Sequence, residues 1–355
     1  MVESRKRRWT AAMAAIGAMV VLALFIVVAP LGSALGAAGA SATANARTGG
    51  AAPLAYVRCA TGANPGYVAY QPVSQWFYVS NANGASVSVY NKTCSLVTTI
   101  ALPTGAAPRG VAYDASNNHV YVADSALDQV YDISGTSIVH KVTDPSFVSP
   151  WGLAYVPSAG YYGGGGSIAV TNGGSHTVSL FGYPLHGPPA VVWDVVAVGT
   201  APGAVVFDPV YDVIAVANGI DNNVTVISVG TSVYTYANVP VGNDPYAIAF
   251  SPATLELYVT NVGSANVTVI DANGHQWGSI SVGNQPHGIA YDPKTTQLYV
   301  TNFGDHSISV IGVKNTVVKT LHLPVGSEPI GIDYNSVYEV MEVTGWLSDK
   351  VYVVP

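Results

Sequence analysis

PHGIAYDPKTTQLYVTNFGDHSISVIGVKNTVVKTLHL, residues 286–323, decides the fold. Its apolar residues alternate through four short runs, 287–291, 297–301, 307–311 and 317–323, separated by Asp-Pro, Asn-x-Gly and Lys-Asn turns. Alternation over four to eight residues between turn-formers predicts strands, here four in succession.

Outward from this stretch the plan repeats. A Pro followed by a small apolar strand recurs at Pro65, Pro108, Pro150, Pro202, Pro245, Pro286 and Pro329, at intervals of 43, 42, 52, 43, 41 and 43. Five residues after each Pro stands an aromatic: Tyr70, Tyr113, Tyr155, Phe207, Phe250, Tyr291 and Tyr334. Sixteen residues after it, in six units, stands a turn-former: Asn81, Asp124, Asn218, Asn261, Asn302 and Gly345. The third unit is lengthened by residues 161–166, which displace its equivalent Asn172. Four short strands at a period of 40 to 45 are the blade of a propeller, whereas a β-helix or leucine-rich solenoid has periods nearer 20 to 30. The expected fold is all-β: a seven-bladed β-propeller with four-stranded blades.

The seventh unit ends after three strands, without an outer one. Leu54-Ala55-Tyr56-Val57-Arg58-Cys59-Ala60-Thr61-Gly62 precedes the first unit and matches the outer strand of the sixth, 318–326, in its spacing to a terminal Gly. An N-terminal strand is therefore expected to complete blade seven and close the ring, removing an exposed sheet edge.

The recurring tetrapeptides carry a family resemblance. Tyr258-Val259-Thr260-Asn261 and Tyr299-Val300-Thr301-Asn302 spell YVTN, with variants such as Tyr78-Val79-Ser80-Asn81 and Ala169-Val170-Thr171-Asn172. Over about residues 51–355 the chain resembles the YVTN β-propeller repeat proteins of prokaryotic cell surfaces. That resemblance implies a propeller fold and a surface or exported role. The family also includes relatives of propeller enzymes. Blade seven departs most, with Met341-Glu342-Val343-Thr344-Gly345 in place of the motif.

Charge and hydropathy bound the functional classes. Arg5, Lys6, Arg7 and Arg8 precede an uncharged, mostly apolar stretch, 9–29, long enough as a helix to span a bilayer. Residues 1–30 are thus expected to be a signal peptide or a signal-anchor helix, and 31–50 a small-residue linker. The propeller, 51–355, is placed outside the cytoplasm as an extracellular or membrane-anchored surface-layer component. From residue 51 onward eight basic residues face nineteen acids, a balance that argues against nucleic acid as a partner. The sequons Asn91-Lys92-Thr93, Asn223-Val224-Thr225 and Asn266-Val267-Thr268 are candidate glycosylation sites. Cys59 and Cys94 are the only cysteines. An even pair in an exported chain predicts a disulfide across the closure seam.

Most motif residues are expected to serve the fold, the Asn or Asp bonding the backbone of the following turn. Asp114, Asp208 and Asp292 are read as turn-formers too. Binding is expected at one rim, from the position after each repeated Pro and the loop after each tetrapeptide: Arg109, Trp151, Tyr246, His287, Phe303, Asp305, His306 and Trp346. Gly66 and Gly203 hold the equivalent places in blades one and four. His287, Asp305 and His306 share one blade and are weighed as an acid–base or metal pair. Against this, metal sites need three or four ligands, and His119, His140, His176, His186, His275 and His322 show no matching spacing. No Gly-x-Ser-x-Gly elbow or P-loop is present, and Gly163 to Gly166 fall between strands. The expected function is a non-catalytic binding module or envelope component, with no cofactor. It would engage envelope proteins or a small molecule. The alternative is an exported, lactonase- or lyase-like enzyme using His287 and His306.

Overall fold

A computed structural model describes residues 57–157, 166–183, 190–230, 232–271 and 274–355. The signal or anchor segment, the linker and the inserted residues 161–165 lie outside the described residues. Seven four-stranded antiparallel sheets form the blades of a propeller, six of them meanders of four consecutive strands. Blade six consists of Pro286–Asp292, Gln297–Asn302, Ser307–Gly312 and Thr316–His322, from the channel outward. Blade seven takes Pro329–Asn335, Val340–Gly345 and Lys350–Val354 from the C-terminus, and Val57–Ala60 from the N-terminus as its outer strand. Val57 pairs with Val353 and Cys59 with Val351, so the ring is closed by strand pairing as expected.

Burial explains the strand compositions. The second and third strands of each blade are sandwiched between neighbouring blades, and strands such as Ser167–Asn172 are buried at every position. Near-continuous Val, Ile, Tyr and Ala suits such doubly covered strands. Outer strands such as Thr316–His322 have one buried position and carry polar residues elsewhere. Apolar clusters fill the gaps between blades: Tyr78, Val87 and Val89 of blade one, for example, pack on Val120, Val122 and Tyr131 of blade two.

The Thr of the motif is an inter-blade latch. Thr301 Oγ1 accepts from the Gly288 amide at 2.8 Å and donates to the Ile330 carbonyl of blade seven at 3.0 Å. Thr171, Thr260 and Thr344 likewise donate to the carbonyls of Gly203, His287 and Gly66 in the next blade. The Asn works differently from the expectation. Its side-chain amide bonds across to side chains of the next strand, as Asn302 Nδ2 does to Ser307 and Ser309 Oγ, both at 3.0 Å. The Asn is fully buried beside the next strand, whose hydroxyls supply acceptors for its amide. Asp124 of blade two, lacking N–H groups on its side chain, does accept from the turn amides of Ala126 and Leu127. Asp114, Asp208 and Asp292 also accept turn amides, each at 2.8 Å.

Candidate functional site

Each innermost strand begins at the repeated Pro, and the residue after it stands at the channel mouth. The following residue sits against the next blade's innermost strand. A Cβ on Gly110 or Gly152 would lie 2.5 Å from the carbonyl oxygen of Trp151 or Gly203, so these two positions admit no larger residue. In blade one the corresponding place is Tyr67, which reaches across the channel.

Around Tyr67 the mouth residues form one connected run. The Arg109 guanidinium lies 4.4 Å above the Trp151 ring, a cation–π contact, and its Nε donates to Ser125 Oγ at 3.3 Å. Trp151 Nε1 donates to Tyr67 Oη at 2.7 Å, and Tyr67 donates to Tyr246 Oη at 3.1 Å. The Tyr246 ring meets His287 edge-on, with centroids 4.6 Å apart, and His287 meets Phe303 at 5.1 Å. Trp346 covers blade one, its ring 3.6 Å from where a Cβ on Gly66 would lie. All these side chains are half-buried.

Burial sets the protonation of this run. Desolvation pushes the Tyr67 phenol up, opposed by its hydrogen bonds with Tyr246 and Trp151 and by the charge of Arg109. Tyr246 is driven well above the usual phenol range by burial, with the adjacent Tyr67 adding to it. Both phenols keep their protons and remain donors. Burial lowers the His287 pKa, opposed by its bond to Gln285 and the charge of Asp244, so its imidazole is neutral at pH 7. His287 Nδ1 faces the Gln285 carbonyl at 2.9 Å. A carbonyl only accepts, so Nδ1 carries the proton and Nε2 the lone pair.

Asp305 and His306 take other places. The exposed Asp305 carboxylate accepts the Asn284 amide at 2.7 Å and its Nδ2 at 2.8 Å, bonds that hold its pKa below the usual range. His306 occupies the left-handed turn position, φ 50°, that Ala85, Asp128, His176, Asn222, Ala265 and Asp349 occupy in the other blades. Neither a hydrogen bond nor a ring contact joins His306 to His287. Asp305 instead borders an open cleft of about 490 Å³ between blades five and six, lined also by Ser307, Thr320 and His322.

Cys59 and Cys94 are disulfide-bonded, with Cα atoms 5.4 Å apart, tying blade seven's outer strand to a turn of blade one. Asn91 lies in that exposed turn, its side chain accepting from Thr93 and Ser95. Asn223 and Asn266 instead accept from Asn218 and Asn261 at 2.7 Å, and the Thr of each sequon is buried.

Two groupings escaped the sequence reading. Tyr67 was hidden because it stands two residues after its Pro, where the other blades carry Gly or Ala; that departure was the available signal. His119 and His140 both present Nδ1 to the buried Asp132 carboxylate, at 2.7 and 3.3 Å, and Tyr183 of blade three donates to the same group. His119, Asp132 and His140 lie on three strands of blade two and Tyr183 just past a strand of blade three, a neighbourhood without a linear spacing. Among the described residues no three His, Cys, Asp or Glu side chains stand in a geometry to hold a metal ion.

The fold is similar to that of virginiamycin B lyase from Staphylococcus aureus, with a TM-score of 0.70 and 14% identity over 84% of this chain and 98% of that one. A streptogramin B lyase structure matches at 0.70 and 13% over 84% and 97%. Hydrazine synthase of Kuenenia stuttgartiensis matches at 0.64 and 15% over 82% and 95%. At such identities the likeness is one of fold alone: the chain is a seven-bladed β-propeller with four-stranded antiparallel blades. No family model and no curated protein matches it.

Proposed function

We propose that the chain is a non-catalytic binding module displayed outside the cytoplasm, engaging an envelope component or a small ligand through the channel mouth. The observation that carries this reading is the connected run from Arg109 through Trp151, Tyr67, Tyr246 and His287 to Phe303. It joins half-buried aromatic faces to a few placed polar groups, the composition of a ligand site. Catalysis by His287 and His306 has less support, because no contact joins them and His287 Nδ1 is held by a backbone carbonyl. Display outside the cytoplasm is supported by the basic and apolar segment within residues 1–30, a signal peptide or anchor, and by a disulfide of the kind that persists in oxidising compartments.

Two measurements test the proposal. A membrane-impermeant biotin ester should label the chain on intact cells; labelling only after lysis would refute its surface location. The purified full chain should co-sediment with isolated envelopes of its host and leave their composition unchanged by mass spectrometry. The double variant Trp151→Ala, Tyr246→Ala, folded by near-ultraviolet circular dichroism, should lose that association. Equal co-sedimentation of the folded variant would show that the mouth is not the binding site.

A further inference from the structure

The hydrogen bonds at the mouth have a direction, and the direction specifies a ligand. An indole N–H can only donate, so Trp151 makes Tyr67 Oη the acceptor, and the Tyr67 proton goes on to Tyr246 Oη. The Tyr246 proton is then left, among the described residues, without an acceptor. Arg109 is a second unused donor. Among the described residues its guanidinium makes one hydrogen bond, from Nε, and no ion pair joins it to an acid. Stacking on Trp151 holds the planar group by its face, leaving the edge that matches a carboxylate bidentately free. That this arginine has no acidic partner among the described residues, in a propeller of eight bases and nineteen acids, favours an incoming anion as its counter-charge.

Farther along the run the polarity reverses. His287 Nε2 is a lone-pair acceptor, since Nδ1–H is directed at the Gln285 carbonyl, and it suits a ligand hydroxyl. The wall around this acceptor is aromatic, with Tyr246 on one side of His287 and Phe303 on the other. A ligand meeting all three conditions has a carboxylate, a ring with an apolar face and a hydroxyl some atoms from the acid.

Resting on the mouth as the binding site, we propose that its ligand is an acidic sugar, a uronic acid unit. Its carboxylate lies on Arg109 and the Tyr246 hydroxyl, its ring on the aromatic wall, and one hydroxyl on His287 Nε2. The unit comes either as the free monosaccharide or as the end of a surface polysaccharide.

Calorimetric titration of the purified full chain with galacturonic acid, tetragalacturonate, galactose and a neutral galactose tetramer tests this. The acidic sugars are expected to bind at least about ten times more tightly than the neutral ones, because a charge-assisted bond to Arg109 is lost with the acid. Binding of the monomer as well as the tetramer marks the free sugar as sufficient; binding of the tetramer alone marks the polymer. Arg109→Met is expected to weaken acidic-sugar binding about 10- to 100-fold, and Tyr246→Phe several-fold, each folded by circular dichroism. Equal affinity for acidic and neutral sugars, binding of neither, or an unchanged affinity in folded Arg109→Met would overturn the proposal. A neutral sugar bound with equal affinity but dependent on Trp151 removes the ligand class and leaves the mouth as the site. Independence from Trp151 for every ligand removes both.

Discussion

The interface between blades five and six and the seam between blades seven and one occupy equivalent places in the ring, yet they are held by different chemistry. Nine buried apolar residues fill the first among the described residues, and seven fill the seam. In blade five Ala249 pairs with Tyr258 across the two inner strands, both facing blade six. In blade seven the same register sets Asp333 against Glu342. Both acids face blade one, where the Tyr70 amide donates to Asp333 at 2.8 Å; within blade seven Asn335 donates to Glu342 Oε1 at 2.9 Å. Glu342 Oε2 and the Tyr70 hydroxyl are buried without a hydrogen-bond partner, and Val353 stands beside Glu342 on the next strand. Among the described residues no basic side chain is bonded to either acid. Desolvation first, with the neighbouring acid adding to it, pushes Glu342 up to about 8; burial pushes Asp333 up to about 6. The seam also carries the disulfide and a hydrogen bond from Tyr90 to the Ala60 carbonyl. The seam where the first and last strands pair thus relies on a covalent tie and carries buried acids of raised pKa, where the other interface relies on apolar packing.

Deleting residues 51–60 attacks the seam most directly, because it leaves blade seven three-stranded and cuts the disulfide. A loss of about 5 kcal/mol or more is expected; thermal unfolding equal to that of the full chain would show that the seam does not hold the ring. Removing the disulfide alone, by Cys59→Ala with Cys94→Ala, is expected to cost about 4 kcal/mol for a loop of this length, read from denaturant midpoints under oxidising conditions.

Next in size is the effect of pH. Glu342 and Asp333 hold their protons more tightly folded than unfolded. Their contribution to stability is therefore complete below the ordinary carboxyl range and declines as pH rises, until about 6 for Asp333 and about 8 for Glu342 are passed. Stability should fall between about pH 4 and pH 8, by at most about 1.4 kcal/mol per pH unit for each group. Glu342→Gln should flatten the upper part of that fall and raise the melting temperature at pH 8 relative to pH 4. An identical profile in the variant would mean that the acid pair does not govern the seam.

The smallest effect sharpens the other side of the comparison. Thr260→Val keeps the shape of the side chain but removes the latch from blade five to blade six, leaving the Ala247 amide and the His287 carbonyl short of a partner. A cost of about 2 kcal/mol is expected. A cost below about 0.5 kcal/mol would place the stability of these interfaces in packing alone.

The sequence by itself determined the number of blades, their four strands and the closing of the ring. Each of these is a local pattern repeated at a fixed period, so neighbouring residues carry the whole signal. It also located the mouth, since the residue after Pro has the same place in every unit, and it paired two cysteines that had no competitors. Only the tertiary structure decided how mouth residues of different blades meet. Tyr67 and Tyr246 lie 179 residues apart, and Tyr67 and Trp151 lie 84 apart. The donor order, the stacking of Arg109 and the convergence of His119, His140 and Tyr183 on Asp132 are relations between repeats. A periodic sequence gives each repeat the same place in its own blade, while the ring brings side chains from different blades together across the channel and between blades; no spacing along the chain encodes those distances.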